Sequence, residues 1–473
     1  MTLYKRYADE LAGLIASGAL RPDERLPSVR EASRRRGLSE MTVLRAYHRL
    51  EARGLITARP RSGYYVVDAA VRPRPPLPAP SKPPTRATTI DKGELIHELL
   101  SAIRRPSIVP LGSAFPSPRL MPLRALHASL NRSMRGLDPM QTVSDLSPGN
   151  AELRRLIALR YRGDGIAVDA DELVITDGAL EALNLCLQAV TEPGDAVIIE
   201  SPTFYASLQA LERLRLRAVE VPTDPQTGVD LDALASALKR HKPAACWLMS
   251  SFQNPLGASM PEPRRQALVA LLAAQGVPLI EDDVYGELHY DAARPKPVKA
   301  YDEAGLVLHC ASFSKCLAPG YRIGWAAAGR YTARLQRLKL ASSLSAAVPS
   351  QRALADYLAT GHYERHLRGL RERLIAGRDT MLAAIDAHFP EGTRVTRPDG
   401  GYFLWVELPR GIDTRALQQA ALAQDISLAP GALFSARDDF ASCLRLNYGH
   451  PDDARVLPAI AALGRLCRTA LSP

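Results

Sequence analysis

No stretch of this chain approaches the roughly 20 consecutive apolar residues that a membrane-crossing helix needs, so no membrane association is expected. Cysteine is sparse and scattered, with six in 473 residues at positions 186, 246, 310, 316, 443 and 467. No CxxC pair occurs among them. That spacing fits neither a zinc site nor a disulfide framework, so no metal is expected and a reducing cytoplasm is. The first twenty residues carry Asp9 and Glu10 where a signal peptide has its apolar core, which argues the same way.

Most of the chain also lacks surplus charge. Residues 1–90 hold 17 lysines and arginines against 8 acidic residues, while the rest holds 43 against 42. Nearly all of the net +10 therefore sits in the first fifth. Such asymmetry predicts a basic module that meets a polyanion, attached to a nearly neutral body.

Proline marks the boundary. Between residues 69 and 91 the sequence has prolines at 73, 75, 76, 78, 80, 83 and 84 and almost no large apolar side chain. Proline fixes φ and removes a backbone donor, so an extended, semi-stiff interdomain linker is expected over residues 70–91. It separates a head (residues 1–69) from a body (residues 92–473).

The head reads as a helix over residues 3–20, then a second opened by a Ser28/Glu31 capping box. Gly37-Leu38 ends that helix. Ser39 caps a third, which Gly54 closes. Met41 or Val43, with Leu44, Tyr47 and Leu50, forms its apolar face. Two strand-like pieces with a turn at Arg61-Ser62-Gly63 follow as a β-wing. This order, with the surplus charge concentrated there, predicts a winged helix-turn-helix that binds double-stranded DNA. Arg30, Arg34, Arg35, Arg36, Arg59 and Arg61 are candidates for phosphate or base-edge contacts. The PSxR string and TVxxAYxxLExxGLI resemble the GntR family of bacterial transcription regulators. That resemblance implies DNA contacts from Ser28, Arg30, Ser39, Thr42, Arg45 and the wing around Gly63.

In the body, short apolar runs at residues 173–176, 196–199, 245–249, 277–280 and 306–309 alternate with helical patterns such as 178–190 and 263–275. This predicts an α/β domain on a mainly parallel sheet, followed by a smaller C-terminal α+β lobe. Polar residues gather at the strand ends: Lys315 after VLHCA, Asp282 and Tyr285 in LIEDDVY, Asn254 in NPLG, and the turn at Gly178-Ala179-Leu180. Groups converging there are where open α/β sheets bind ligands. A lysine so placed suits Schiff-base chemistry, and the turn before a helix suits a phosphate.

SFSK followed by GYRIGW resembles the fold-type I, aspartate-aminotransferase-like proteins that use pyridoxal 5′-phosphate, over about residues 111–466. The resemblance implies a large cofactor domain over about residues 145–345 and a small lobe over about 346–473. It implies that Lys315 binds the cofactor aldehyde as a Schiff base and that Asp282 keeps the pyridine nitrogen protonated. Asn254 and Tyr285 would bond the phenolate oxygen, and Phe204 would stack on the ring. Gly178, the amides of Ala179 and Leu180, Ser312, Ser314 and Arg322 would hold the phosphate, and Arg445 a ligand's α-carboxylate. Two departures stand out. Ala179-Leu180 replaces the usual Ser-Gln pair, and residues 144–149 lack the tyrosine that often reaches the partner subunit's phosphate.

Head, linker and body in this order resemble the MocR subfamily of pyridoxal-phosphate-dependent regulators. The resemblance implies a homodimer reading paired DNA half-sites and sensing an amine, an amino acid or the cofactor itself. A working aminotransferase with a DNA-binding appendage is the alternative. A purely structural DNA-binding protein would have no use for Lys315.

Overall fold

The computed structural model describes residues 3–471 apart from 17–18, 22, 53–54, 60–61, 67–74, 85, 94–95, 98–104, 106 and 438. The readings at Gly54, Arg61 and the 69/70 boundary lie outside the described residues.

In the head, α1 (Leu3–Ala16), α2 (Val29–Arg36) and α3 (Glu40–Ala52) pack with β1 (Ile56–Arg59) and β2 (Gly63–Val66). α1 is shorter than the predicted 3–20. Its apolar stripe buries Tyr7, Ala8 and Leu11 against Val43, Tyr47 and Leu50. Val43, not the exposed Met41, completes the buried face of α3. Ser28 accepts the Glu31 amide and Ser39 accepts the Thr42 amide, so each serine caps its helix. β1 and β2 form the antiparallel wing, and Arg25 bridges to Tyr65 on its other side.

The body continues with α4 (Leu123–Arg135), α5 (Ala151–Gly163), β3 (Leu173–Thr176) and α6 (Ala179–Val190). Next come β4 (Ala196–Ser201), α7 (Tyr205–Arg213), β5 (Arg217–Asp224), β6 (Gly228–Val229) and α8 (Leu231–His241). They lead to β7 (Ala245–Leu248), α9 (Glu262–Gln275), β8 (Leu279–Asp282), β9 (Val307–Ser312) and β10 (Gly324–Ala327). Eight strands form one sheet in the order β3-β10-β9-β8-β7-β4-β5-β6. Its centre is parallel, whereas β10 runs antiparallel to both of its neighbours. β4, β7, β8 and β9 are buried along their whole length, as a sheet covered on both faces requires.

Three further helices follow: α10 (Thr332–Ser342), α11 (Val348–Ala359) and the long α12 (His362–His388). The small lobe then adds β11 (Arg394–Val395), β12 (Phe403–Glu407), α13 (Thr414–Leu422), β13 (Ala429–Pro430), β14 (Cys443–Asn447) and α14 (Val456–Leu471). Its four-stranded sheet is ordered β11-β12-β14-β13. The lobe boundary differs from that expected. α11 packs along α4 and α5, and Arg132 pairs with Asp356, so the chain past residue 346 first stays with the large domain. Val109 conversely pairs with Ile426, which makes an early segment part of the small lobe.

The proline-rich segment is extended, but its described part is docked on the body. The Val395 amide donates to the Pro76 carbonyl (3.0 Å) and Arg397 to that of Pro75 (2.7 Å). Ser81 accepts the Thr223 amide, and Thr88 exchanges backbone bonds with Ala218. Prolines leave carbonyls but no amides, so the contacts at residues 75, 76 and 84 are carbonyl acceptors for groups on the body. All six cysteines are free and buried; Cys186 and Cys310 touch through sulfur atoms 3.5 Å apart. Among the described residues no helix is long and apolar enough to cross a membrane.

Candidate functional site

The carboxyl ends of β3, β7, β8 and β9 carry Gly178, Asn254, Asp282 and Lys315, and β14 brings Arg445 to the same place. Arg445 Nη1 donates to Asn254 Oδ1 (3.0 Å), while Asn254 Nδ2 donates to the Tyr285 hydroxyl (3.3 Å). The guanidinium lies 4.2 Å from the centre of the Phe403 ring and 5.2 Å from that of Phe434. It is fully buried, and its Nε has no partner.

Lys315 Nζ donates to the Ala114 carbonyl (2.8 Å) and sits 3.8 Å from the centre of the Phe115 ring. Burial, with Arg445 nearby, pushes its ammonium down to about 7 despite Asp282. Asp282 is buried with Oδ1 unpartnered. Burial and the adjacent Asp283 push its carboxyl up to about 7, against the pull of Lys315.

Gly178 precedes α6 with φ 82, and no side chain caps the helix, which leaves its first amides for an anion. Arg322 lies so close that a Cβ at position 178 would collide with its guanidinium. Arg322 holds a left-handed backbone (φ 54) unusual for a side-chain-bearing residue, and its Nη1 donates to Ser314 Oγ (3.1 Å). Ser312 Oγ accepts the Ser314 amide at 3.4 Å. These groups form one cup. Phe204 stands just before α7, against Tyr205.

Sequence reasoning missed the segment that covers the pocket. Arg445 donates to Gly112 O, Asn447 to Ser113 O and Phe115 O, and Tyr402 to Ala114 O. These contacts run through backbone carbonyls, which leave no residue-type signal. Asp283, His309 and Tyr161, buried behind Asp282, were missed as well; the DD doublet was the one visible hint.

On the head, Arg30, Arg34 and Arg45 are exposed, and Ser39 and Thr42 share a hydrogen bond at the start of α3. Arg36 pairs with Glu10 (2.7 Å) and lies over Tyr7; Arg59 pairs with Asp23 and lies over Tyr65. Both brace the head while staying about half exposed. Gly63, at the wing turn, has φ 107 with the Arg25 side chain close by.

Fold and site together define a fold-type I, pyridoxal-phosphate protein joined to a winged helix. The chain matches the aminotransferase class I and II family over residues 125–463 and the bacterial regulatory proteins of the gntR family over residues 3–66. It is 48% identical over 472 residues to the uncharacterized HTH-type transcriptional regulator YdcR of Escherichia coli K12, covering 100% of both chains. It is 38% identical to the uncharacterized HTH-type regulator YjiR of the same organism, covering 98% of each. Among solved structures it is similar to LysN, the α-aminoadipate aminotransferase of Thermus thermophilus complexed with N-(5′-phosphopyridoxyl)-L-leucine. That match has a TM-score of 0.72 and 31% identity, over 80% of this chain and 95% of that one. The chain belongs to the aminotransferase class I and II family and, through its GntR-type head, to the MocR subfamily of transcription regulators.

Proposed function

We propose that this chain is a DNA-binding transcription regulator that senses an amine, an amino acid or pyridoxal phosphate itself through its aminotransferase-like body. The observation that carries the reading is one chain holding both a winged helix and a half-buried lysine gathered with a buried carboxylate, amide and phenol beside the cup at Gly178 and Arg322. Bound there, pyridoxal phosphate supplies a carbonyl that captures primary amines and an electron-withdrawing ring. The pocket fits it: Asp282 Oδ1 and Arg445 Nε are buried without partners, and Gly178 leaves the space a side chain would fill.

In this reading Lys315 holds the aldehyde carbon, and its lowered proton affinity leaves a neutral, nucleophilic fraction near pH 7. Asp282 holds the proton on the pyridine nitrogen. Asn254 and Tyr285 bind the phenolate oxygen, and Phe204 covers the ring. Gly178, Ala179, Leu180, Ser312, Ser314 and Arg322 orient the phosphate. Arg445 takes the carboxylate of an amino-acid ligand by a paired hydrogen bond. On the head, Ser28, Arg30, Ser39, Thr42, Arg45 and the wing at Gly63 meet the operator.

A second copy completes the assembly. Met140, Val143, Leu180, Leu340 and Leu344 are exposed, and bonds from Ser343 to Glu181 and from Ser345 to Asp145 bring their segments together. Apolar patches of this kind mark association surfaces, and a dimer sets two heads on paired half-sites.

Selecting fragments from a random DNA pool, with and without pyridoxal phosphate and candidate amines, tests the function. A ligand-dependent change in affinity or footprint is expected; no change with any ligand overturns the sensing. The gathering of Lys315, Asp282 and Arg445 also favours a working aminotransferase. Sustained conversion of an amino acid and a 2-oxo acid at about 1 per second or faster would establish that reading instead.

A further inference from the structure

Behind Asp282 lies a chain of buried polar groups that the cofactor pocket does not itself use. Asp283 Oδ2 accepts from Arg294 Nη2 (2.7 Å) and lies 3.1 Å from His309 Nε2. The other ring nitrogen of His309 lies 2.7 Å from the Tyr161 hydroxyl, which accepts from Trp325 Nε1 at 2.9 Å. Asp283, His309 and Tyr161 are all buried.

The proton order follows from the end of the chain. An indole nitrogen only donates, so the Tyr161 oxygen accepts from Trp325 and turns its own proton to His309 Nδ1. Against the Asp283 carboxylate, which only accepts, His309 Nε2 is the donor. The contacts run in one direction, from β10 through α5 and β9 to Asp283 Oδ2 at the end of β8. Gly286 leaves room for the receiving carboxylate, since a Cβ there would lie 2.6 Å from Asp283 Oδ1.

Two adjacent buried carboxylates compete for the same cation and donor. Arg294 and His309 both engage Asp283 through Oδ2, whereas neither reaches Asp282; Oδ1 of each carboxylate is without a partner, and that of Asp282 belongs to the cofactor pocket. Burial alone would push the Asp283 carboxyl up; Arg294 and His309 outweigh it and hold it below its ordinary value. Asp283 is thus a fixed anion beside Asp282, whose other charged or titratable neighbours include Lys315, Glu200 and Cys310. That anion raises the proton affinity of Asp282 toward that of a ring nitrogen, which suits a shared proton.

We propose that His309 and Tyr161 are positioning residues that, through Asp283, keep Asp282 Oδ1 open and directed at the pyridine nitrogen of the cofactor. The proposal rests on the pyridoxal-phosphate reading above. Its test is titration of the full-length protein with pyridoxal phosphate, following the visible absorbance of the bound cofactor and its dependence on pH.

His309→Leu is expected to weaken cofactor binding roughly tenfold, the worth of a buried hydrogen bond to a charged acceptor, and to shift the ratio of the visible bands. His309→Gln, which keeps a donor toward Asp283, should restore both most of the way. Tyr161→Phe, nearly isosteric, should shift the bands in the same direction by less, and it serves if His309→Leu does not fold. Unchanged affinity and spectrum in both His309→Leu and Tyr161→Phe overturn the proposal, as does a fall in melting temperature alone. A wild type that binds no pyridoxal phosphate overturns the cofactor reading itself.

Discussion

At the scale of single residues, burial governs the chemistry of the pocket. Asp282 and Lys315 are both pushed to about 7, from opposite sides, because each is costly to hold charged away from water. Stability of the cofactor-free protein should respond accordingly. A raised carboxyl means that the folded state binds more protons than the unfolded one between about pH 4 and 7, so Asp282 makes stability fall as pH rises through that window. A lowered ammonium works in the opposite sense: Lys315 makes stability rise between about pH 7 and 10. Asp282→Asn should flatten the decline between pH 4 and 7, as read by thermal unfolding of the apo-protein. The polar residues of this pocket were largely legible, because SFSK, GYRIGW and LIEDDVY place unusual side chains at strand ends. His309 was not, since a histidine inside an apolar run gives no sign of its partners.

At the scale of elements, helix termini shape both candidate sites. α6 begins at a positive-φ glycine with Arg322 pressed against it, so Gly178→Ala both strains the turn and displaces the guanidinium. We expect it to weaken pyridoxal-phosphate binding at least tenfold, or about 1.4 kcal/mol, in an equilibrium titration, with the head still folded. α3 depends on its own cap. Ser39→Ala removes the acceptor for the Thr42 amide and should cost the head about 1 kcal/mol in a denaturant titration. Periodicity and capping residues predict the three helices of the head, and periodicity α6 and α9 of the body. The range 3–20 overextends α1, because residues 19 and 20 lie in a bend.

At the scale of the whole molecule, the linker is the least expected feature. It joins head to body, yet residues 75–88 are tied to β11 in the small lobe and to β5 in the large domain. A body cut to residues 92–473 loses these acceptors and leaves the Val395 and Ala218 amides without protein partners. It should melt several degrees below a body of residues 75–473 in calorimetry. The apolar surface around Val143 and Leu344 carries a second expectation. Val143→Glu with Leu344→Glu should turn a dimer into a monomer by light scattering, and weaken DNA binding where two half-sites are required.

Local sequence features point to a head, a linker and a body, to the winged helix, to the alternation of strands and helices, and to the polar side chains gathered at the strand ends. These features are local: a capping serine, a run of prolines or a lysine after a strand act within a few residues of themselves. Long-range pairing sets the strand order, the antiparallel β10, the exchange of segments between lobes and the docking of the linker. It also sets the covering of the pocket by residues 112–115 and the relay from Trp325 to Asp283. Those depend on pairings between groups tens to hundreds of residues apart, often through backbone carbonyls. Every residue carries such a carbonyl, and the sequence does not mark which will be used.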